Sequence, residues 1–232
     1  MSIAIFDLDN TLLGGDSDAL WGSFISEQGI VDAEFYAKEN QRFYDEYQAG
    51  KLDIYEFLNF SLKPLSEHSL ATLNRLHQQF MQEKIAPIML PAAKKLLKTH
   101  RDQGHLLMII TATNRFVTAP IAKLFEVDVL IATDPEIINN RYSGKVAGTP
   151  CFQGGKVERL NQWLKENNRT LGESWFYSDS QNDLPLLEMV NHPVAVDPDP
   201  SLAAHAAQRG WPLITLRQGG ESQAFQRVLN KP

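Results

Sequence analysis

From Pro91 to residue 216 the sequence alternates short apolar runs with amphipathic stretches, and this alternation restricts the fold more than any other feature. Runs at 106–111, 127–131, 175–178, 194–196 and 213–216 read as strands. Segments 117–125, 156–166, 184–189 and 202–208 carry apolar residues at helical spacing. A further helix begins at Pro91, presents Ala92, Leu96 and Leu97, and closes at Gly104. Residues 139–144 read as a hairpin turn region. Strands and helices in this order predict an α/β fold with a doubly wound parallel sheet. The opening run, Ile3 to Phe6, is apolar without alternation, as expected of a strand buried on both faces of such a sheet. The tail from Arg217 reads as a short helix or a frayed end.

One segment breaks the pattern. After Gly14-Gly15-Asp16-Ser17, a turn and helix cap, the residues up to about Lys84 offer no strand. Trp21, Phe24, Ile25, Phe35, Phe43, Tyr44, Tyr47, Ile54, Phe57 and Leu58 fall at helical spacing. The expected division is a catalytic core of residues 1–14 and 86–232, interrupted by an all-helical insert of residues 15–85.

Bulk properties narrow the function classes. The chain has 232 residues, 43% of them hydrophobic and 22% charged, with a formal net charge of −6. An acidic chain without a Lys/Arg cluster is poorly suited to nucleic acid or an anionic membrane. The longest apolar stretch, 106–110, is far short of the ~20 residues a membrane span needs. The single cysteine, Cys151, cannot form an internal disulfide. The N-terminal apolar run stops at Asp7, unlike a signal peptide. These features point to a cytoplasmic protein, monomer or homodimer. An anionic ligand would be attracted by a metal ion or a few placed cations.

In doubly wound folds, function gathers at the carboxyl ends of the strands. The first strand ends in Asp7-Leu8-Asp9-Asn10-Thr11. Two carboxylates so close repel unless a cation joins them, although an Asx turn or helix cap explains the pair equally well. The second ends in Thr111-Ala112-Thr113-Asn114, whose hydroxyls and N–H groups suit a phosphate oxygen or simply cap the next helix. Gly154-Gly155-Lys156 looks like half a P-loop but lacks its first glycine and its Ser/Thr. Its glycines hint at a close backbone approach. Asp179 and Asp183, after a further strand, are hard oxygen donors of the kind magnesium takes, or caps of the next helix. The six histidines show no ligand spacing.

Taken in order, these motifs resemble the haloacid dehalogenase superfamily over about residues 1–216, and the string Phe6-Asp7-Leu8-Asp9-Asn10-Thr11-Leu12 is similar to its first motif. The helical insert resembles the C1 cap of the phosphoserine phosphatase-like branch, subfamily IB. The resemblance implies a magnesium-dependent phosphomonoesterase. Asp7 would be nucleophile and metal ligand. Asp9 would ligate through its carbonyl and act as general acid and base. Asp179 would complete the metal site, and Thr111 and Lys156 would hold the phosphoryl oxygens. Leu8, Ala112, Asn182 and Asp183 would contact or orient the phosphoryl group. A halide leaving group needs no proton, so Asp9 favours phosphatase over dehalogenase.

Phosphoserine phosphatases usually carry Ser-Gly-Gly and Gly-Asp-Gly-x-Asn-Asp where this chain has Thr111-Ala112-Thr113 and Ser178-Asp179-Ser180-Gln181-Asn182-Asp183. The strings 12–18, 111–116 and 151–156 are more similar to the histidinol-phosphate phosphatases of the same branch. The implied substrate is a small phosphomonoester, histidinol phosphate first and phosphoserine second. Its ammonium would meet Asp16, Asp18 or Glu46, and its imidazole Trp21, Phe43 or Tyr44. Arg115 is a further candidate substrate contact. An inactive phosphate- or metal-binding module on the same scaffold, and a phosphotransferase, are the competing readings.

Overall fold

The computed structural model describes residues 2–217. Seven strands form one sheet in the order β4-β3-β2-β1-β5-β6-β7. They are β1 (Ile3–Phe6), β2 (Leu106–Asn114), β3 (Val129–Ile138), β4 (Arg141–Ala147), β5 (Ser174–Ser178), β6 (His192–Val196) and β7 (Leu213–Ile214). All neighbours are parallel except β3 and β4. This is the doubly wound α/β core that the alternation predicts. Core helices are α6 (Pro91–Asp102), α7 (Arg115–Leu124), α8 (Gly154–Glu166), α9 (Leu184–Leu187) and α10 (Pro200–Arg209). They follow five others: α1 (Ser17–Glu27), α2 (Ala33–Gln48), α3 (Ile54–Ser61), α4 (Lys63–Glu67) and α5 (Leu70–Phe80).

Central strand β1 is buried at every position. Ala4 and Phe6 join one apolar cluster with α6 and the early helices, while Ile3 and Ile5 join a second with α8, α9 and α10. Alternate side chains thus feed cores on both faces, which is why the run shows no polar alternation.

Several boundaries differ from the sequence expectation. Strand β2 continues three residues past Thr111, and β3 continues to Ile138. The segment expected to be a turn region is a two-residue turn plus an antiparallel edge strand. Asn139 and Asn140 both have positive φ, 50° and 61°, the signature of a type I′ hairpin. Segment 184–189 holds only the short α9, Leu184–Leu187, which follows directly on a 3-10 turn at Gln181–Asp183. The expectation for the tail lies outside the described residues.

The early helices leave and rejoin the core side by side. Leu13 bridges Met89, and Gly14 N–H donates to the Ile88 carbonyl at 2.8 Å. Asp16, Asp32, Asp53 and Ser69 cap α1, α2, α3 and α5 with their side chains, satisfying N–H groups that would otherwise lack partners. Among the described residues no helix is long and apolar enough to cross a membrane.

Candidate active site

Parallel pairing sets the register of the site. Phe6 lies opposite Ile109 on β2 and Tyr177 on β5. Asp7, one residue beyond Phe6, and Thr111 and Asp179, two residues beyond Ile109 and Tyr177, therefore emerge together at the carboxyl ends of the strands. They line a cavity of about 320 Å³ that also takes in Asp9, Lys156 and Asp183. One wall comes from α2 and α3, with Phe43, Tyr44, Tyr47 and Phe57.

Lys156 organises the acids. Its Nζ is 2.7 Å from Asp7 Oδ1 and 2.8 Å from Asp183 Oδ2, and its side chain is almost wholly buried. Burial alone would drive its proton off, but Asp183 and Asp7 outweigh that and raise its pKa. Ser178 Oγ donates to Asp183 at 2.7 Å. Thr11 Oγ1 donates to Asp179 Oδ1 at 3.0 Å, lies 3.5 Å from Asp7 Oδ2, and accepts from Asp179 N–H at 3.1 Å. A single threonine thus spaces the two carboxylates. Asp9 is held at both oxygens, by Ser17 N–H at 2.6 Å and by Thr113 Oγ1 at 2.8 Å.

Several of these acids hold protons more tightly than usual. Burial pushes Asp7 up to about 6 against the pull of Lys156, with the charge of Asp183 adding to the rise. Burial and then Asp16 push Asp9 up to about 7. Asp179 is well above the carboxylate range because of burial, Asp7 and Asp183. Asp18 reaches about 8 through burial and its neighbours Asp16 and Asp9. Buried carboxylates crowded in this way are unstable as anions unless a cation is added.

Among the described residues, no three His, Cys, Asp or Glu side chains are grouped to hold a metal by themselves. Magnesium makes a smaller demand: one or two carboxylates, with waters and substrate phosphate completing its shell. Asp7 and Asp179, joined through Thr11, fit that demand.

The glycines before Lys156 have separate roles. A Cβ on Gly155 would lie 2.1 Å from the Pro150 carbonyl oxygen, whereas one on Gly154 would meet nothing within 4 Å. The close approach hinted at in the sequence is thus an internal one, made by Gly155 alone. It lets the chain turn into α8 and aim Lys156 inward.

Other expected site residues divide. Thr111, Ala112, Asn182, Asp16, Asp18 and Tyr44 line the cavity, as does Phe43. Leu8 buries its side chain completely, and its backbone hydrogen-bonds the Asp7 carboxyl. Asp16 is occupied as the cap of α1, its Oδ1 accepting from Asp18 and Ala19 N–H. Like Leu8, three of the candidate substrate contacts lie outside the lining. Trp21 packs among Phe24, His77, Phe80 and Phe116 because its ring sits on the buried face of α1. Glu46 is drawn to Arg42 at 2.8 Å in a network with Glu39 and Glu56. Arg115 is paired with Asp134 and donates to the Leu130 carbonyl at 3.3 Å.

Sequence reading passed over Thr11, Thr113, Ser178, Ser180 and Tyr47 as individual contributors. Tyr47 OH and Ser180 Oγ are 2.8 Å apart, and Gln181 Nε2 donates to the Gln48 carbonyl at 3.1 Å. These contacts tie the end of α2 to the loop that carries Asp179 and Asp183. A hydroxyl beside each motif carboxylate was the one signal present in the sequence.

Comparison with known proteins bears on this arrangement. Residues 4–188 match the family model for haloacid dehalogenase-like hydrolases. The chain is 43% identical over 220 residues to a histidinol-phosphatase of Neisseria meningitidis, covering 93% of this chain and 99% of the relative. A phosphoserine phosphatase of Mycobacterium tuberculosis is 27% identical over 227 residues, 92% of this chain and 70% of that protein. A Bordetella pertussis protein of unknown function superposes with a TM-score of 0.88 at 43% identity, covering 93% of this chain and 99% of its own. A substrate-bound phosphoserine phosphatase shares the fold, with a TM-score of 0.66 at 16% identity over 87% of this chain and 89% of that one.

Proposed function

The chain belongs to the haloacid dehalogenase-like hydrolase family, and from that membership we propose that it is a magnesium-dependent phosphomonoesterase whose substrate is histidinol phosphate. The observation that carries the phosphatase reading is the Asp7–Lys156–Asp183 arrangement, buried at the strand ends beside Asp179.

In this reading an Asp7 carboxylate oxygen attacks the substrate phosphorus. As the bond from phosphorus to the leaving alkoxide breaks, the Asp9 carboxyl passes its proton to the alkoxide oxygen. The resulting Asp9 carboxylate takes a proton from water, which attacks the phosphorus of the aspartyl-phosphate. Inorganic phosphate leaves and Asp7 is restored. Thr111, the Ala112 N–H and Lys156 hold the phosphoryl oxygens, and Asn182 and Asp183 orient them. Asp7, Asp179 and the Asp9 carbonyl would hold magnesium, which would supply the positive charge that lets two anions approach.

The 43% identity to a histidinol-phosphatase over 93% of the chain supports the substrate assignment. Charge supports it independently. Histidinol phosphate has an ammonium and no carboxylate, whereas phosphoserine has both. Beyond the phosphoryl pocket the cavity offers Asp16 and Asp18, and among the described residues its basic side chains are Lys156 and Arg217. Lys156 is committed to Asp7 and Asp183, and Arg217 lies 3.7 Å from Asp197. Among the described residues, a substrate carboxylate would therefore find Arg217 as its one lining cation not held by two acids, whereas the ammonium has both Asp16 and Asp18 beside it. Ranking histidinol phosphate, phosphoserine and sugar phosphates by kcat/KM in magnesium tests the reading. Histidinol phosphate is expected to lead, and faster hydrolysis of phosphoserine would overturn it. Absence of hydrolysis in the whole panel would favour an inactive binding module.

A further inference from the structure

A carboxylic acid at the end of a rotatable side chain transfers a proton efficiently only when its oxygen is held within hydrogen-bond reach of the acceptor. Asp9 has its two oxygens fixed from opposite directions. Oδ1 takes the Ser17 N–H at 2.6 Å, from the first turn of α1. Oδ2 takes the Thr113 hydroxyl at 2.8 Å, from the end of β2. Thr113 is itself immobilised, being 9% exposed and donating its N–H to Thr111 Oγ1 at 3.2 Å.

We propose that Thr113 is a positioning residue that holds the Asp9 carboxyl in line for proton transfer to the leaving alkoxide. The proposal rests on the reading of Asp9 as general acid. Each carboxyl oxygen has two lone pairs, so an oxygen engaged by Thr113 or Ser17 can still carry the proton to be transferred. As the phosphorus–alkoxide bond breaks and the Asp7–phosphorus bond forms, that proton moves from Asp9 to the alkoxide oxygen. Asp9 is left as a carboxylate, and Thr113 keeps donating to Oδ2. Ser17 contributes a backbone N–H that no side-chain change can remove, and its hydroxyl also acts on Asp9, while Thr113 supplies the side-chain hydrogen bond to Oδ2. A glycine at this position, as in the Ser-Gly-Gly pattern, has no hydroxyl to offer.

Leaving-group dependence tests the idea. An alkyl phosphate such as glycerol phosphate needs its departing oxygen protonated, whereas 4-nitrophenyl phosphate expels a stable phenolate. The readout is the ratio of kcat/KM for the alkyl ester to that for the aryl ester, in wild type, Asp9→Asn, Thr113→Val, Thr113→Ala and Thr113→Ser. Asp9→Asn is expected to lower the ratio by ~10²–10⁴-fold, and Thr113→Val and Thr113→Ala by ~10–100-fold. Thr113→Ser, which keeps the hydroxyl, is expected to restore it. The aryl reaction reports whether each variant is folded. An unchanged ratio in Thr113→Val and Thr113→Ala, with a lowered ratio in Asp9→Asn, would overturn the inference and leave the general acid standing. A ratio as low in Thr113→Ser as in Thr113→Val would overturn the role of the hydroxyl. An unchanged ratio in Asp9→Asn would remove the general-acid reading itself, and this inference with it.

Discussion

Lys156 is buried within 2.7 Å of Asp7 and 2.8 Å of Asp183, so one cation balances two carboxylates in a place water barely reaches. Replacing it with an apolar residue of similar length leaves those acids unmatched and, in the proposed mechanism, removes the charge that holds the phosphoryl oxygens. Lys156→Met is expected to lower kcat by ~10²–10³-fold, measured under saturating substrate. A second buried group makes a prediction about stability. His100 donates or accepts at 2.8 Å with Tyr177 OH and with His105 Nδ1. Burial lowers its pKa from 6.5 to about 3, and His105 adds to the drop. The folded protein thus keeps His100 neutral at acidities where the unfolded chain protonates it. Its contribution is complete above pH 6.5 and is lost as pH falls toward about 3, at up to about 1.4 kcal/mol per pH unit. Urea midpoints at about pH 7 and about pH 5 should therefore diverge more in wild type than in His100→Gln. Equal divergence would contradict this.

At the scale of elements, the turn into α8 depends on Gly155. An added methyl would collide with the Pro150 carbonyl, a backbone atom that cannot swing aside. Gly155→Ala is expected to cost about 1–3 kcal/mol by denaturant unfolding and to depress kcat through the adjoining Lys156. Gly154→Ala faces open space and should leave both nearly unchanged. Tyr47 tests the tie between α2 and the loop of Asp179 and Asp183. Tyr47→Phe deletes one hydrogen bond of ~0.5–1.5 kcal/mol, which should lower kcat/KM by roughly 2–10-fold.

Legibility also divides by element. Strands β1, β2, β5 and β6 were readable because burial on both faces demands uninterrupted apolar runs. Strand β4 was not, because on this partly exposed edge strand only Tyr142 and Val146 pack against the core, opposite Arg141, Ser143 and Lys145, too short a pattern to mark a strand. The carboxylates and the lysine were readable because their positions follow from strand ends. The donors that aim them were not. Whether Thr113 meets Asp9, or Ser180 meets Tyr47, depends on how segments more than a hundred residues apart come to lie together. Trp21 failed as a substrate contact for the same reason: helical spacing identifies a face of α1, but not what that face packs against.

For the molecule as a whole, an acidic chain brings together buried acids around a cavity of about 320 Å³. Burial and neighbouring acids raise the pKa of Asp7 to about 6 and lift that of Asp179, the two carboxylates proposed to hold magnesium. Magnesium binding would compete with protons on those two carboxylates, so its affinity should rise with pH. Activation constants at about pH 6 and about pH 8 should differ in that direction, and chelation should abolish turnover until magnesium is restored. The central claim is that Asp7 takes the phosphoryl group. Acid-quenched turnover followed by peptide mass spectrometry tests it most directly. The expected result is a phosphoryl group on the Asp7 carboxylate, absent from Asp7→Asn, which should also lack activity. A phosphoryl group on another residue, or wild-type turnover by Asp7→Asn, would contradict the account.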